Sequence, residues 1–458
     1  GGGTATIEGG TIKYNNTGNT NYNTAAIIIT TNSTTLTLGK EDGNVSITNP
    51  EIIGSRYGIN NEGNGTFNFY DGIIKGKTAI NGNLSAKEKG YEVITTEENE
   101  IETAILGNLP VAKIGEKEYY TFQEAFDACP SDGTETTVEV LRNCTTDMAN
   151  IIEENKNIVL DIQSYKIVSG IENLFTNNGK FKIVDSIGNG RIISAKGTIL
   201  KNEETGNFAI NNITMQMTGS SAIDETIENK GMLEVTGGVI ISDGLKNKCI
   251  NNIEQGTVKI TGGTVSAYTY AIYNTSSNKV EIEGGTVQAT YYYEGYSAIY
   301  NNTENGVVEI KGGLVTNQGK AIENKKGTIK VTGGEIRTTQ GDTRYSECGI
   351  YNNGKVIIKD GKVAALYRGS GIQNEGGTIE ITGGTVSAPE WYNSIINRGT
   401  LEISGGTIKS NQKGIYNNST LKMTGGTVEV QEPNYAALEC GGGTATIEGG
   451  TIKYNNTG

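Results

Sequence analysis

From about residue 230 onward, short alternations of apolar and polar residues return at a near-constant interval. Each begins with an apolar–polar–apolar triplet such as Val258-Lys259-Ile260. A glycine follows, usually doubled, and then a polar–apolar step such as Thr264-Val265. After a stretch of variable length come a small residue, an isoleucine and an asparagine, as in Ala271-Ile272-Tyr273-Asn274. The last glycine of each step falls at Gly238, Gly263, Gly285, Gly313, Gly334, Gly361, Gly384, Gly406, Gly426 and Gly450, at intervals of 20 to 28 residues. Period-two alternation marks a strand with one buried face. Three strand-length pieces and three corners per interval predict an all-β fold, a right-handed parallel β-helix that grows by adding coils.

The columns of this pattern predict what each position does. The first strand turns pairs such as Val280/Ile282, Val308/Ile310, Ile379/Ile381 and Leu401/Ile403 inward. The second contributes one aliphatic (Val265, Val287, Val315, Ile336) and the third an isoleucine (Ile272, Ile299, Ile322, Ile350), about four inward aliphatics per coil. The outward residue of the first strand is Glu234, Lys259, Glu281, Glu309, Lys330, Glu380, Glu402 or Lys422, which reads as a solvated face of mixed charge. Two residues past each third-strand isoleucine stands Asn229, Asn252, Asn274, Asn301, Asn324, Asn352, Asn374, Asn397 or Asn417, and Asn177 and Asn202 fit the same register. Stacked one coil apart, at roughly 4.8 Å, these amides can pass hydrogen bonds along a buried ladder. Cys440 breaks the column at its next position.

Residues 1–18, GGGTATIEGGTIKYNNTG, recur letter for letter as residues 441–458. The chain therefore reads as one 440-residue period of a tandem array. Residues 1–85 are the closing coils of a preceding β-helix, 86–108 a charged linker or edge strand, 109–135 a hairpin and capping helix, and 136–458 the main solenoid. Thr121-Phe-Gln-Glu124 is a capping box that opens a short helix, stopped by Pro130. Phe122, Ala125 and Phe126 on that helix are expected to close the first coil.

Composition narrows the function. The net charge of −13, without a basic cluster, argues against nucleic acid and anionic membrane as partners. No apolar run is long enough to span a bilayer. Histidine is absent, which removes the commonest general base and metal ligand. The five cysteines, Cys129, Cys144, Cys249, Cys348 and Cys440, show no metal-site spacing and read mostly as buried thiols, with a Cys129–Cys144 pair as the alternative. From Asp243 onward only Asp342 and Asp360 remain, in different coils, so no pair of converging carboxylates suggests glycoside cleavage. No catalytic residue, metal or cofactor is expected.

The variable stretches between second and third strands carry Tyr268, Tyr270, Tyr291, Tyr292, Tyr293, Tyr296, Tyr345, Tyr367, Trp391 and Tyr392. Aromatic side chains clustered on one edge suit sugar rings or a partner surface, or else they fold down and shield the edge. A second column, Tyr273, Tyr300, Tyr351 and Tyr416, is expected to face outward beside the ladder.

The stretch VAKIGEKEYYTFQEAFDACPSDGTETTVEVLRN, followed by Gly-Gly-Thr-Val coils, resembles the opening of pectate-lyase-like β-helix domains in large bacterial cell-surface proteins. FNFYDGIIKGKTAINGNLSAKEKGYEV resembles the way such units close. The resemblance implies an extracellular, surface-bound setting. It leaves activity open, because one fold hosts many functions. The reading it favours is a structural or adhesive repeat protein, a stalk or filament whose partners are neighbouring copies of itself, with glycans or other surface proteins as further ligands. The alternatives are a glycan-binding module and a polysaccharide-degrading lyase or tailspike.

Overall fold

A computed structural model describes residues 2–14, 24–41, 44–88, 91–219, 225–245, 247–291, 295–339, 347–389, 392–432 and 434–454. About 60% of the chain is strand and 2% helix. It forms a parallel β-solenoid of about 17 turns, divided into two compact units, Gly1–Val111 with Tyr119–Thr121 and Ala112–Glu118 with Phe122–Gly458.

The first unit has three faces. Thr4–Ile7, Thr35–Leu38 and Thr66–Phe69 pair in parallel on one. Thr11–Lys13, Glu51–Ile53 and Ile73–Gly76 form the second, and Ala25–Ile28, Tyr57–Asn60 and Thr78–Asn81 the third. Leu36, Leu38, Ile52, Ile59, Phe67, Phe69 and Ile74 fill the interior. The stack closes on a hairpin. Ile101–Gly107 lies antiparallel to Ile73–Gly76 and to Glu92–Glu98, burying Ala104 and Leu106. The segment expected as a charged linker or edge strand supplies both strands of this hairpin, with Glu92–Glu98 at the edge of the sheet. Val93, Ala104 and Leu106 supply a period-two apolar face among its many glutamates.

The second unit is built the same way, from Glu135–Val140 to Thr444–Tyr454, each strand paired in parallel with its counterpart one coil on. The inward columns are closed to solvent: Val280, Ile282, Val287 and Ile299 of one coil are each 0% exposed. Side chains fill the interior. The corner after the first strand needs both glycines, for different reasons. Gly285 sits at φ 72°, where a side chain is strained. A Cβ on Gly284 would stand 2.4 Å from the carbonyl oxygen of Thr261 in the coil before.

The start of this unit is capped. Ala112–Ile114 pairs antiparallel with Glu135–Val140 and covers its edge. The helix Phe122–Ala128 buries Phe122, Ala125 and Phe126. The Phe126 ring lies 6.2 Å from Phe175 and 5.8 Å from Phe181. Gln123 uses its amide as a substitute peptide. The Ile151 N–H donates to its Oε1 at 2.6 Å, and its Nε2 donates to the Ile151 carbonyl at 3.2 Å. The buried Lys156 ammonium donates to the carbonyls of Asp127 at 2.8 Å and Cys129 at 2.7 Å. It thereby satisfies oxygens that a helix end leaves open.

Candidate functional site

The asparagine column is an unbroken interior ladder. Each Nδ2 donates to the Oδ1 of the next coil, from Asn177 through Asn202, Asn229, Asn252, Asn274, Asn301, Asn324, Asn352, Asn374 and Asn397 to Asn417, at 2.7–2.9 Å. Most of these residues also use the second Nδ2 hydrogen on a backbone carbonyl, as Asn301 does on Lys326 at 2.8 Å. All are at most 1% exposed. The ladder is therefore architecture and offers no ligand a surface. At the next position Cys440, which pairs in register with Asn417, is exposed.

The aromatic edge is more compact than its spacing suggests. Tyr270 does not lie in a loop. It opens the third strand of its coil, Tyr270–Asn274, in register with Lys248. Its ring meets Tyr296 at 5.2 Å, Tyr273 at 5.3 Å and Tyr300 at 5.6 Å. Tyr273 and Tyr300 stack at 4.8 Å with 12° between planes. Tyr291 joins Tyr296 at 5.3 Å and Tyr268 at 4.7 Å. Tyr268, Tyr270, Tyr291 and Tyr296 of the edge thus make one contiguous patch with Tyr273 and Tyr300 of the column beside the ladder, which the sequence presents as two separate sets. Tyr367, by contrast, is 70% exposed, and Tyr392 is half-buried just ahead of the strand Asn393–Asn397. Tyr292, Tyr293, Tyr345 and Trp391 lie outside the described residues, as does Asp342.

Charged groups flank the patch on the same sheet. Lys248 stands 4.6 Å from the Tyr273 ring centre and 3.1 Å from Glu225. Burial pushes the Glu225 carboxyl above its ordinary range, against the pull of Lys248 and Asn251. On the far side Lys320 lies 4.1 Å from the Tyr351 ring centre. Glu323, 2% exposed, pairs with Lys325 at 2.8 Å and Lys320 at 3.4 Å. Burial, followed by the nearby Glu323 charge, raises the Tyr270 phenol above its usual range. These rings are amphipathic cover, partly sunk into the sheet surface.

The outward carboxylates of the first sheet are not all solvated, contrary to the sequence reading. Glu309 is 5% exposed, because lysines one coil to either side lie over it. A continuous network runs Lys259–Glu283–Lys311–Glu281–Lys279–Glu309–Lys330 across the coils. Burial opposes the Glu309 charge. Hydrogen bonds from Lys279 and Lys330 overcome it and hold the carboxyl down to about 2. Glu281 is likewise held low by Lys279 and Lys311. Carboxylates neutralised this way are poor general bases.

Other acidic residues serve the backbone. Asp185, which sequence reasoning passed over, is 2% exposed and accepts N–H bonds from Ser164, Ile187 and Gly190. In the first unit Asp71 does the same for Ser46, Ile47 and Gly72. The signal for both was a lone aspartate at the end of a strand-length run. Asp243 accepts from the Gln216 amide. Among the described residues, no three His, Cys, Asp or Glu side chains gather as a metal site. No helix among them is long and apolar enough to cross a membrane. Cys129, Cys144, Cys249 and Cys348 are buried, and Cys440 is exposed. Burial pushes the Cys249 thiol up to about 12.

The chain matches no protein family, no curated protein and no solved structure. The family resemblance therefore rests on the two stretches quoted above.

The duplicated segment occupies equivalent places in the two units. In the second, Thr444–Tyr454 supplies a first-face strand, a glycine corner and a second-face strand. In the first, Thr4–Ile7 and Thr11–Lys13 do so.

Proposed function

We propose that this chain is a structural repeat of an extracellular protein, a stiff solenoid module that continues from copy to copy on a bacterial surface. What carries the reading is the return of the same eighteen residues after 440 residues, with their strands Thr4–Ile7 and Thr11–Lys13 in the same coil position as Thr444–Tyr454. A filled interior, a buried amide ladder and ion-paired outer faces suit a module whose work is mechanical. The likeness to pectate-lyase-like surface domains supports the setting. Its partners are other copies of itself. It needs no cofactor, and it cleaves nothing.

A second reading, glycan binding, is favoured by the contiguous patch of Tyr268, Tyr270, Tyr273, Tyr291, Tyr296 and Tyr300, since stacked tyrosines suit sugar faces. One experiment addresses both. The chain is incubated with acidic and neutral polysaccharides, with and without Ca²⁺, and both binding and new chain ends are measured. The structural reading expects no turnover. Cleavage lost in a Glu281→Gln or Asp360→Asn variant would overturn it. Saturable binding without cleavage, abolished by Tyr270→Ala, would install the glycan reading.

A further inference from the structure

The described parts of the two copies make contacts on opposite sides, and these contacts are complementary. In the second unit the segment pairs with the coil before it: Ala445 with Leu421, Ile447 with Met423, Ile452 with Val428. In the first unit it pairs with the coil after it: Ala5 with Leu36, Ile7 with Leu38, Ile12 with Ile52. Ala445 is the counterpart of Ala5, Ile447 of Ile7 and Ile452 of Ile12. A strand in a parallel sheet has two edges, and each copy uses a different one. The inward residues agree as well, since Leu421, Met423, Val428, Leu36, Leu38 and Ile52 are all buried. Superposing the copies asks no atom to serve twice.

The third face supports the same join. Leu438 stacks on Ile415 in one unit, and Ile27 stacks under Ile59 in the other. Placed in series they continue the isoleucine column. The charges match too. Lys453 pairs with Glu429 at 3.2 Å on the coil before. Its counterpart Lys13 lies close enough to Glu51, on the coil after, to help Lys75 hold that carboxyl low. Apolar side chains that a join would cover are open: Ile447 is 45% exposed, Ile452 42% and Ile12 36%.

The far end of each unit is closed to growth. Antiparallel Ile101–Gly107 ends the first unit, and antiparallel Ala112–Ile114 with the helix Phe122–Ala128 begins the second. An antiparallel strand cannot extend a coil that winds one way.

Building on the repeat reading above, we infer that residues 442–454 and 2–14 occupy one coil. The folding unit of this sequence is then a solenoid that starts at the helix Phe122–Ala128, passes through the shared coil, and ends at the hairpin Glu92–Gly107 of a second copy. The second copy's residues 1–107 are the specific partner of this copy's last coils.

The test is a permuted chain in which residues 108–440 run directly into residues 1–107, compared with the chain in its present order. The permuted chain is expected to melt in a single step. The present order is expected to melt in two, one for each unit. In the permuted chain the amides of Thr4–Ile7 and Thr11–Lys13 are expected to exchange as slowly as those of Thr66–Phe69. Two melting steps in a folded permuted chain, or exchange at 4–13 as fast as in the present order, would overturn the inference.

Should the permuted chain not fold, a chain of residues 1–440, which carries the shared coil once, takes the test by sedimentation. It is expected to associate end to end as concentration rises, with Ile12→Lys abolishing association and leaving the melting of the second unit unchanged. A chain that stays monomeric at every concentration overturns the inference. Polysaccharide cleavage by a permuted chain that melts in one step would sink the structural reading while leaving the shared coil standing.

Discussion

At the scale of single residues, two buried polar groups set the terms. Asn301 donates to Asn324 and to the Lys326 carbonyl, and it accepts from Asn274. Replacing it by leucine leaves the Asn274 donor and the Asn324 acceptor without their partner in a dry interior. The Asn301→Leu change is expected to cost about 1–3 kcal/mol, read from chemical denaturation. No loss would mean that the ladder contributes shape alone. Glu309 gives a pH signature. Its carboxyl is held at about 2, against an ordinary value of 4.5. A carboxyl depressed on folding contributes stability that is fully present above 4.5 and is lost as pH falls toward 2. Glu309→Gln is therefore expected to flatten the acid limb of the melting curve between those values. An unchanged limb would show that the Lys279 and Lys330 contacts carry no net energy.

At the scale of elements, the short helix acts as a plug. Seven residues are too few to be stable alone, so Phe122–Ala128 depends on what it covers. Phe126 sits over Phe175 and Phe181, and Gln123 takes the edge peptide of Ile151. Phe126→Ala is expected to cost about 3–5 kcal/mol and to speed hydrogen exchange first in Asn150–Ile152 and Asn157–Asp161. Uniform destabilisation across the solenoid, with no local gradient, would contradict a capping role. The capping box and Pro130 made this helix legible in the sequence. Its lysine clasp was not, because Lys156 lies a full coil away and nothing local marks it. The pairing of this edge segment over the first unit was hidden for the opposite reason. Its glutamates dominate the composition, while the apolar alternation that decides its fate involves only a few residues on each strand.

At the scale of the whole molecule, a stack of coils has nearest-neighbour energetics, so its ends matter more than those of a globule. On the proposed reading, the two antiparallel caps would make two ends inert and leave extension to the duplicated coil. The biphasic melting expected of the present-order chain, and its collapse to one step on permutation, express that asymmetry. An array built this way adds coils only in one register, because a one-residue slip would turn Ile447 and Ile452 outward.

The sequence by itself determined the coil. Period-two alternation, the glycine corner and the recurring asparagine each act within one repeat or between successive repeats, so the strand faces, the inward columns and the ladder could all be read without coordinates. The recurrence of eighteen residues at an offset of 440 was legible too. Only the tertiary structure decided what the variable stretches and the outer faces do. Tyr270 and Tyr300 meet because their strands sit one coil apart in register, and the tyrosines on either side of them fold down from corners of unequal length. Glu309 is buried by lysines whose long side chains reach sideways from neighbouring coils. Side chains that lean across coils obey packing distances, and no spacing along the chain encodes those.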